Sequence, residues 1–291
     1  MVFPTFRLRP GARWLLSALG GPVTLLGFAL LFQACGADSE SGTGGRRVVL
    51  HTRVALAEGG ASFTTAVGWS VELTHVSLAT GAFYYFDGKP PVAAVPRSND
   101  WELAAGWLGL GTAYAHPGHY EPGNARGQML EPFSVALLAG PAEFPDGDGV
   151  TGLYRSARFS FSTPAAGPAA EDLEEHAAIV EGRAELEGEE TRFFRGLAAF
   201  DEIRQVAADG HVEGCELSEV VVEGDGTINV TVRPAAWFNL VNFAELDPGS
   251  EEEPSGFPAD SQPRIAFVQG LTELSAYQFS FVPTSEEQQR K

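Results

Sequence analysis

The residues whose types and spacing could do chemistry are His116-Pro117-Gly118-His119. Proline at the second position of a turn and glycine at the third suit type II geometry, which brings the flanking α-carbons within about 7 Å. Two imidazoles held this way could converge on one metal ion, a common use of histidine. Tyr114 and Tyr120 flank the pair, and Met129 follows ten residues after His119. Imidazole together with thioether favours copper. The candidate metal set is therefore His116, His119 and Met129, with copper as the candidate cofactor. The same tetrapeptide also reads as a plain Pro-Gly turn that needs no metal.

The other polar residues offer weaker chemistry. His51 and His75 fall on strand-like segments and read as packed or surface histidines, while His176 and His211 lie in polar contexts and read as solvated. Asp146-Gly147-Asp148-Gly149 reads as a turn. As a calcium loop it lacks the distal acid, because Ala157 occupies that position. Glu174-Glu175, Glu189-Glu190 and the acids at 251–253 read as solvated faces. No GxSxG, HExxH or phosphate-loop motif occurs. Catalysis is therefore the minor reading, as a hydrolase with an unrecognised site. Cys215 sits in VEGCELSEVVVEG, an apparent strand, and reads as a buried, inert thiol.

The N-terminus says where these groups work. Residues 14–32 carry no charge and follow Arg7, Arg9 and Arg13. Basic, apolar, then small residues is the order of a secretory signal. An apolar run of this length also approaches a bilayer span, but Gly20-Gly21-Pro22 interrupts it and Ala34-Cys35 closes it. LFQAC resembles the lipobox of bacterial lipoprotein precursors. Ala34 and Cys35 match that pattern, whereas Phe32 and Gln33 depart from the residues usual there. The resemblance implies that Cys35 is acylated and becomes the first mature residue, with its acyl chains as the membrane attachment. Gly36 is compatible, by analogy, with sorting to an outer membrane. The expected location is a bacterial cell envelope.

The net charge of −19, with 38 acidic against 19 basic residues, excludes nucleic-acid binding by phosphate neutralisation. It also excludes a basic patch as the membrane contact. Protein partners are not indicated by the sequence.

Residues 1–34 are thus expected to be a signal, 35–46 a Gly/Ser-rich tether, 47–283 the folded part and 284–291 a polar tail. A division near 163–172 is the alternative to one domain. Strands are expected at 47–57, 63–79, 82–86, 151–163, 191–200, 212–223, 227–232, 264–269 and 276–282, with a weak one at 101–110. The segment at 176–186 fits helix or strand. Residues 111–133 read as a long irregular loop, 141–149 as a turn region, and Gly224-Asp225-Gly226 as a hairpin turn. Residues 234–246 (PAAWFNLVNFAEL) form the best helical pattern, with Pro234 at its start. About ten short strands and one helix in the C-terminal half predict a mainly β fold, a β-sandwich.

The order of strands, histidine-bearing loop and VTVRPAAWFNLVNFAEL resembles the periplasmic copper-binding β-sandwich family found beside methanobactin genes. That resemblance implies an exported sandwich using histidines for copper, with His116 and His119 as the residues to carry it. The chain lacks the disulfide pairs of that family. The expected function is an exported, lipid-anchored cell-envelope protein with a binding or structural role. The alternative is a copper-binding lipoprotein using the 116–119 turn.

Overall fold

The computed structural model describes residues 45–91 and 120–284. Its centre is β1 (Arg47–Leu56), in which outward and inward residues alternate, with Arg47, His51 and Arg53 exposed and Val48, Leu50, Thr52 and Val54 buried. This period of two is what a half-buried strand requires. β1 pairs in parallel with β12 (Gly226–Val232) and antiparallel with β7 (Ala142–Val150). From there β12 leads to β14 (Tyr277–Pro283), β11 (His211–Val222), β8 (Gly152–Ser160), β4 (Phe83–Phe86), β5 (Ala125–Met129) and back to β7. The eight strands close into a barrel. Closure removes the open edges that a flat sheet would have to protect.

Aromatic side chains fill this barrel. Phe159 stacks on Tyr277 at 3.9 Å and on Phe83 at 5.1 Å, and Tyr85 meets Phe279 edge-on at 6.2 Å. Removing each such side chain from water contributes about 1.5–3 kcal/mol. The outward residues of β12 are Thr227, Asn229 and Thr231, and those of β14 include Gln278 and Ser280. Polar outside and apolar inside is the reverse of the pattern by which barrels span a bilayer. Among the described residues, no helix is long and apolar enough to cross a membrane.

A second sheet runs β13 (Ser255–Gly256), β10 (Arg192–Ala199), β9 (His176–Glu185), β3 (Ser70–Thr80) and β2 (Ser62–Thr64), with β6 (Phe133–Ala136) also on β3. An aromatic cluster packs with it. Phe194 meets Phe243 at 4.9 Å, Phe238 at 5.5 Å and Phe257 at 5.8 Å, and Trp69 meets Phe243 at 5.6 Å. Four short α-helices complete the described residues: α1 (Ala170–Leu173), α2 (Phe200–Val206), α3 (Ala235–Phe238) and α4 (Gln262–Leu271). Glu202 on α2 accepts from the Ala199 N–H at 2.8 Å and from Arg264 on α4 at 2.9 and 2.7 Å.

The β-sandwich is therefore corrected to a closed barrel with an accompanying sheet. Closure depends on the parallel pairs β1–β12 and β11–β14, which join residues far apart in sequence and have no local signal. The Gly224–Gly226 turn does not close a hairpin, because β14 inserts between β11 and β12. Residues 141–149 are strand β7 rather than a turn, and 125–129 within the expected loop is strand β5. The segment at 176–185 is strand. The helix expected at 234–246 is only one turn, α3, followed by a 3-10 turn at Phe243–Glu245. The longest helix, α4, lies where a strand was expected. Ser261 caps it by accepting from the Arg264 N–H at 3.4 Å, and Pro263 occupies its first turn.

The signal at 1–34, the tether up to residue 44, the weak strand at 101–110 and most of the tail lie outside the described residues.

Candidate functional site

Cys35, His116 and His119 lie outside the described residues. Met129 ends β5 opposite Phe83 and is fully buried in the barrel core. Pro91 and Tyr120, which bound the histidine-bearing segment 92–119, are described, and the residues around them form the candidate site.

Both ends meet on the outer wall of the barrel. The neighbouring strands place Phe86 opposite Ser156 on β4–β8, and Ser156 opposite Glu216 on β8–β11. Ser156 is fully buried, and its Oγ donates to the Gly88 carbonyl at 2.7 Å. With that proton committed, the 2.7 Å contact between Tyr120 Oη and Ser156 Oγ has the tyrosine as donor. One serine thus fastens the entry side, at Gly88, and the exit side, at Tyr120. Gly214 on β11 lies beneath Pro91 and Tyr120. A Cβ there would stand 2.5 Å from Pro91 Cδ and 3.4 Å from a Tyr120 ring carbon, and its φ of +79° is one that side-chain-bearing residues rarely adopt. Burial raises the Tyr120 phenol above its ordinary value.

The turn before the segment is held by Asp87. Its carboxylate accepts from the Asn124 N–H at 2.7 Å and from Arg126 at 3.0 and 2.8 Å. Burial pushes this carboxyl up, but the hydrogen bonds from Asn124 and the Arg126 guanidinium outweigh it and hold Asp87 below the usual range.

Next to Ser156, Arg158 lies over the Tyr84 and Phe86 rings at 5.2 and 5.7 Å and pairs with Glu213 at 2.6 Å. His211 starts β11 opposite Ser160. Burial first, and then the Arg158 guanidinium, hold this histidine below its ordinary value. The solvated reading of His176 and His211 is corrected. Both are half-buried at strand starts, and neither buried Nδ1 has a partner among the described residues. His75 lies half-buried on β3, where a bulge between Leu73 and His75 shifts the inward face to Val76 and Leu78. His51 is exposed and its Nδ1 lies 2.6 Å from Asp146 Oδ1.

Cys215 faces the core. Its Sγ donates to the Val212 carbonyl at 3.4 Å, and burial pushes the thiol up to about 12. A cavity of about 530 Å³ opens beside Pro91 and Gly214. Among the described residues no three His, Cys, Asp or Glu side chains are grouped so as to hold a metal ion.

Sequence reasoning did not anticipate Ser156, Gly214 or the cavity. Ser156 sits on the more polar parity of β8, where a solvent-facing serine is the ordinary expectation. Only the positive φ of Gly214 had a local signal, a glycine in the middle of a strand pattern. No family model, curated protein or solved structure matches the chain.

Proposed function

We propose that the chain is an exported, lipid-anchored protein of a bacterial cell envelope, attached through Cys35 and sorted to the outer membrane, with a binding role carried by the barrel. The anchor is supported by the order Arg7-Arg9-Arg13, apolar run, Ala34-Cys35. The binding role is supported by one observation above others. Gly88 and Tyr120 are fastened by the single buried hydroxyl of Ser156, beside a cavity on the barrel wall. Cys215 is protonated at neutral pH and so is a poor nucleophile.

Palmitate labelling in cells tests the anchor. Label should enter the wild-type chain and Cys215→Ser, and be absent from Cys35→Ser. Label that persists in Cys35→Ser, or never enters the wild type, contradicts the proposal.

A second reading, copper binding by His116 and His119, has its own support. Tyr120, bonded directly to His119, is the residue whose hydroxyl is tied down. A tethered neighbour lowers the entropy lost when a ligand set is ordered.

A further inference from the structure

The cavity beside Pro91 has a charge pattern unlike the rest of the chain. The protein is strongly acidic, with a net charge of −19. Lys89 is the only lysine among the described residues, and it lines this cavity together with Arg155 and Arg233. Arg155 is neutralised by Glu219 at 2.9 Å. Lys89 and Arg233 have no carboxylate partner among the described residues. Arg233 instead donates to the Gln278 side-chain oxygen, which orients its guanidinium. The remaining acid on the wall is Glu216, exposed on β11. Among the described residues, two cations without a carboxylate partner against one such carboxylate leave the cavity lining net positive.

Apart from Ser275 and Gly214 the rest of the wall is apolar, with Pro90, Pro91 and Leu274 part-exposed to the space and Leu217 buried behind them. The volume of about 530 Å³ lies in the range of small-molecule sites, which combine apolar walls with a few placed polar groups. The site is also built into the backbone. The pairing of β11 with β8 skips between Glu216 and Val220, so β11 bends away from its neighbour at the cavity.

We propose that this cavity binds a small amphiphilic carboxylate. The anionic head lies between Lys89 and Arg233, and the apolar body rests on Pro90, Pro91 and Leu274. A single negative charge fits better than a phosphate dianion, because Glu216 shares the wall. The proposal deepens the binding role and rests on that reading. It is separable from the anchor, since palmitate labelling and ligand titration report on different residues.

The test is isothermal titration of octanoate into the full chain in lipid nanodiscs, with empty nanodiscs as the blank. Octanol and inorganic phosphate are titrated in parallel. Octanoate should bind saturably at one site per chain, at least tenfold more tightly than octanol, and phosphate should not compete. Lys89→Met and Arg233→Met should each weaken octanoate about tenfold and leave octanol unchanged. Glu216→Gln should tighten octanoate several-fold, a gain that a misfolded variant cannot produce. No saturable octanoate binding, octanol binding as tightly, phosphate competing, or affinity unmoved by all three substitutions would each overturn the proposal.

Discussion

The Tyr120 hydroxyl donates to Ser156 Oγ at 2.7 Å, and Ser156 donates in turn to the Gly88 carbonyl at 2.7 Å. Two stretches of chain far apart in sequence are thereby pinned to one position on β8. Ser156→Ala leaves both part-buried partners without this bond, at a cost of about 1–3 kcal/mol. Tyr120→Phe leaves the Gly88 bond intact and should cost about 0.5–1.5 kcal/mol. A denaturant double-mutant cycle should show the two changes to be non-additive. Strict additivity would mean that the hydroxyls do not act together.

Gly270 on α4 predicts a second outcome. A Cβ there would lie 2.3 Å from the Trp237 carbonyl oxygen and 2.6 Å from its α-carbon. In an exposed helix Gly→Ala gains up to about 1 kcal/mol. Here the clash with α3 backbone should dominate, for a net loss of about 1–3 kcal/mol. A Gly270→Ala protein with a raised denaturation midpoint would contradict this packing.

Alkaline pH should unfold the protein through buried acids that keep their protons. Burial pushes Cys215 and Tyr154 up to about 12 and Tyr85 higher still. In the unfolded chain these groups ionise near their ordinary values, about 8.5 for cysteine and about 10 for tyrosine. Their contribution is therefore fully present below about pH 8.5 and is lost as pH rises toward 12. The limiting slope is about 1.4 kcal/mol per pH unit for each group. Guanidinium midpoints measured from pH 7 to 11 should hold steady and then fall. A flat profile to pH 11 would contradict the burial. At pH 8, Cys215 should resist thiol reagents until the protein is unfolded.

Much of the local structure was legible in the sequence, and the closure was not. The aromatic run at 83–86 and the alternation at 227–232 have the period of strands and form them. In β7 the DGDG run looks like a turn, yet its glycines serve close approach. A Cβ at Gly147 would meet the Gln128 carbonyl at 2.5 Å, and one at Gly149 would meet the Tyr154 hydroxyl at 2.7 Å. For the PAAWFNLVNFAEL run, helical spacing placed Trp237, Leu240, Val241 and Ala244 on one inward face, and only half of it holds. Trp237 and Val241 are buried, but Leu240 and Ala244 are exposed because the chain unwinds after Phe238. The site was least legible. Ser156 matters through Gly88 and Tyr120, and neither partner lies near it in sequence.

The copper reading has its own test. Copper titrated into the full chain should bind, and the double change His116→Ala, His119→Ala should weaken it at least tenfold. Unchanged affinity in the double variant, or no binding by the wild type, sinks that reading and leaves the anchor and the cavity as they stand.

The central claim is the location, and it turns on one atom, the Sγ of Cys35. Mass spectrometry of the N-terminal peptide from the membrane fraction measures it directly. The account predicts a peptide that begins at Cys35 and carries acyl chains. A peptide that retains Met1, or one with an unmodified Cys35, would contradict it.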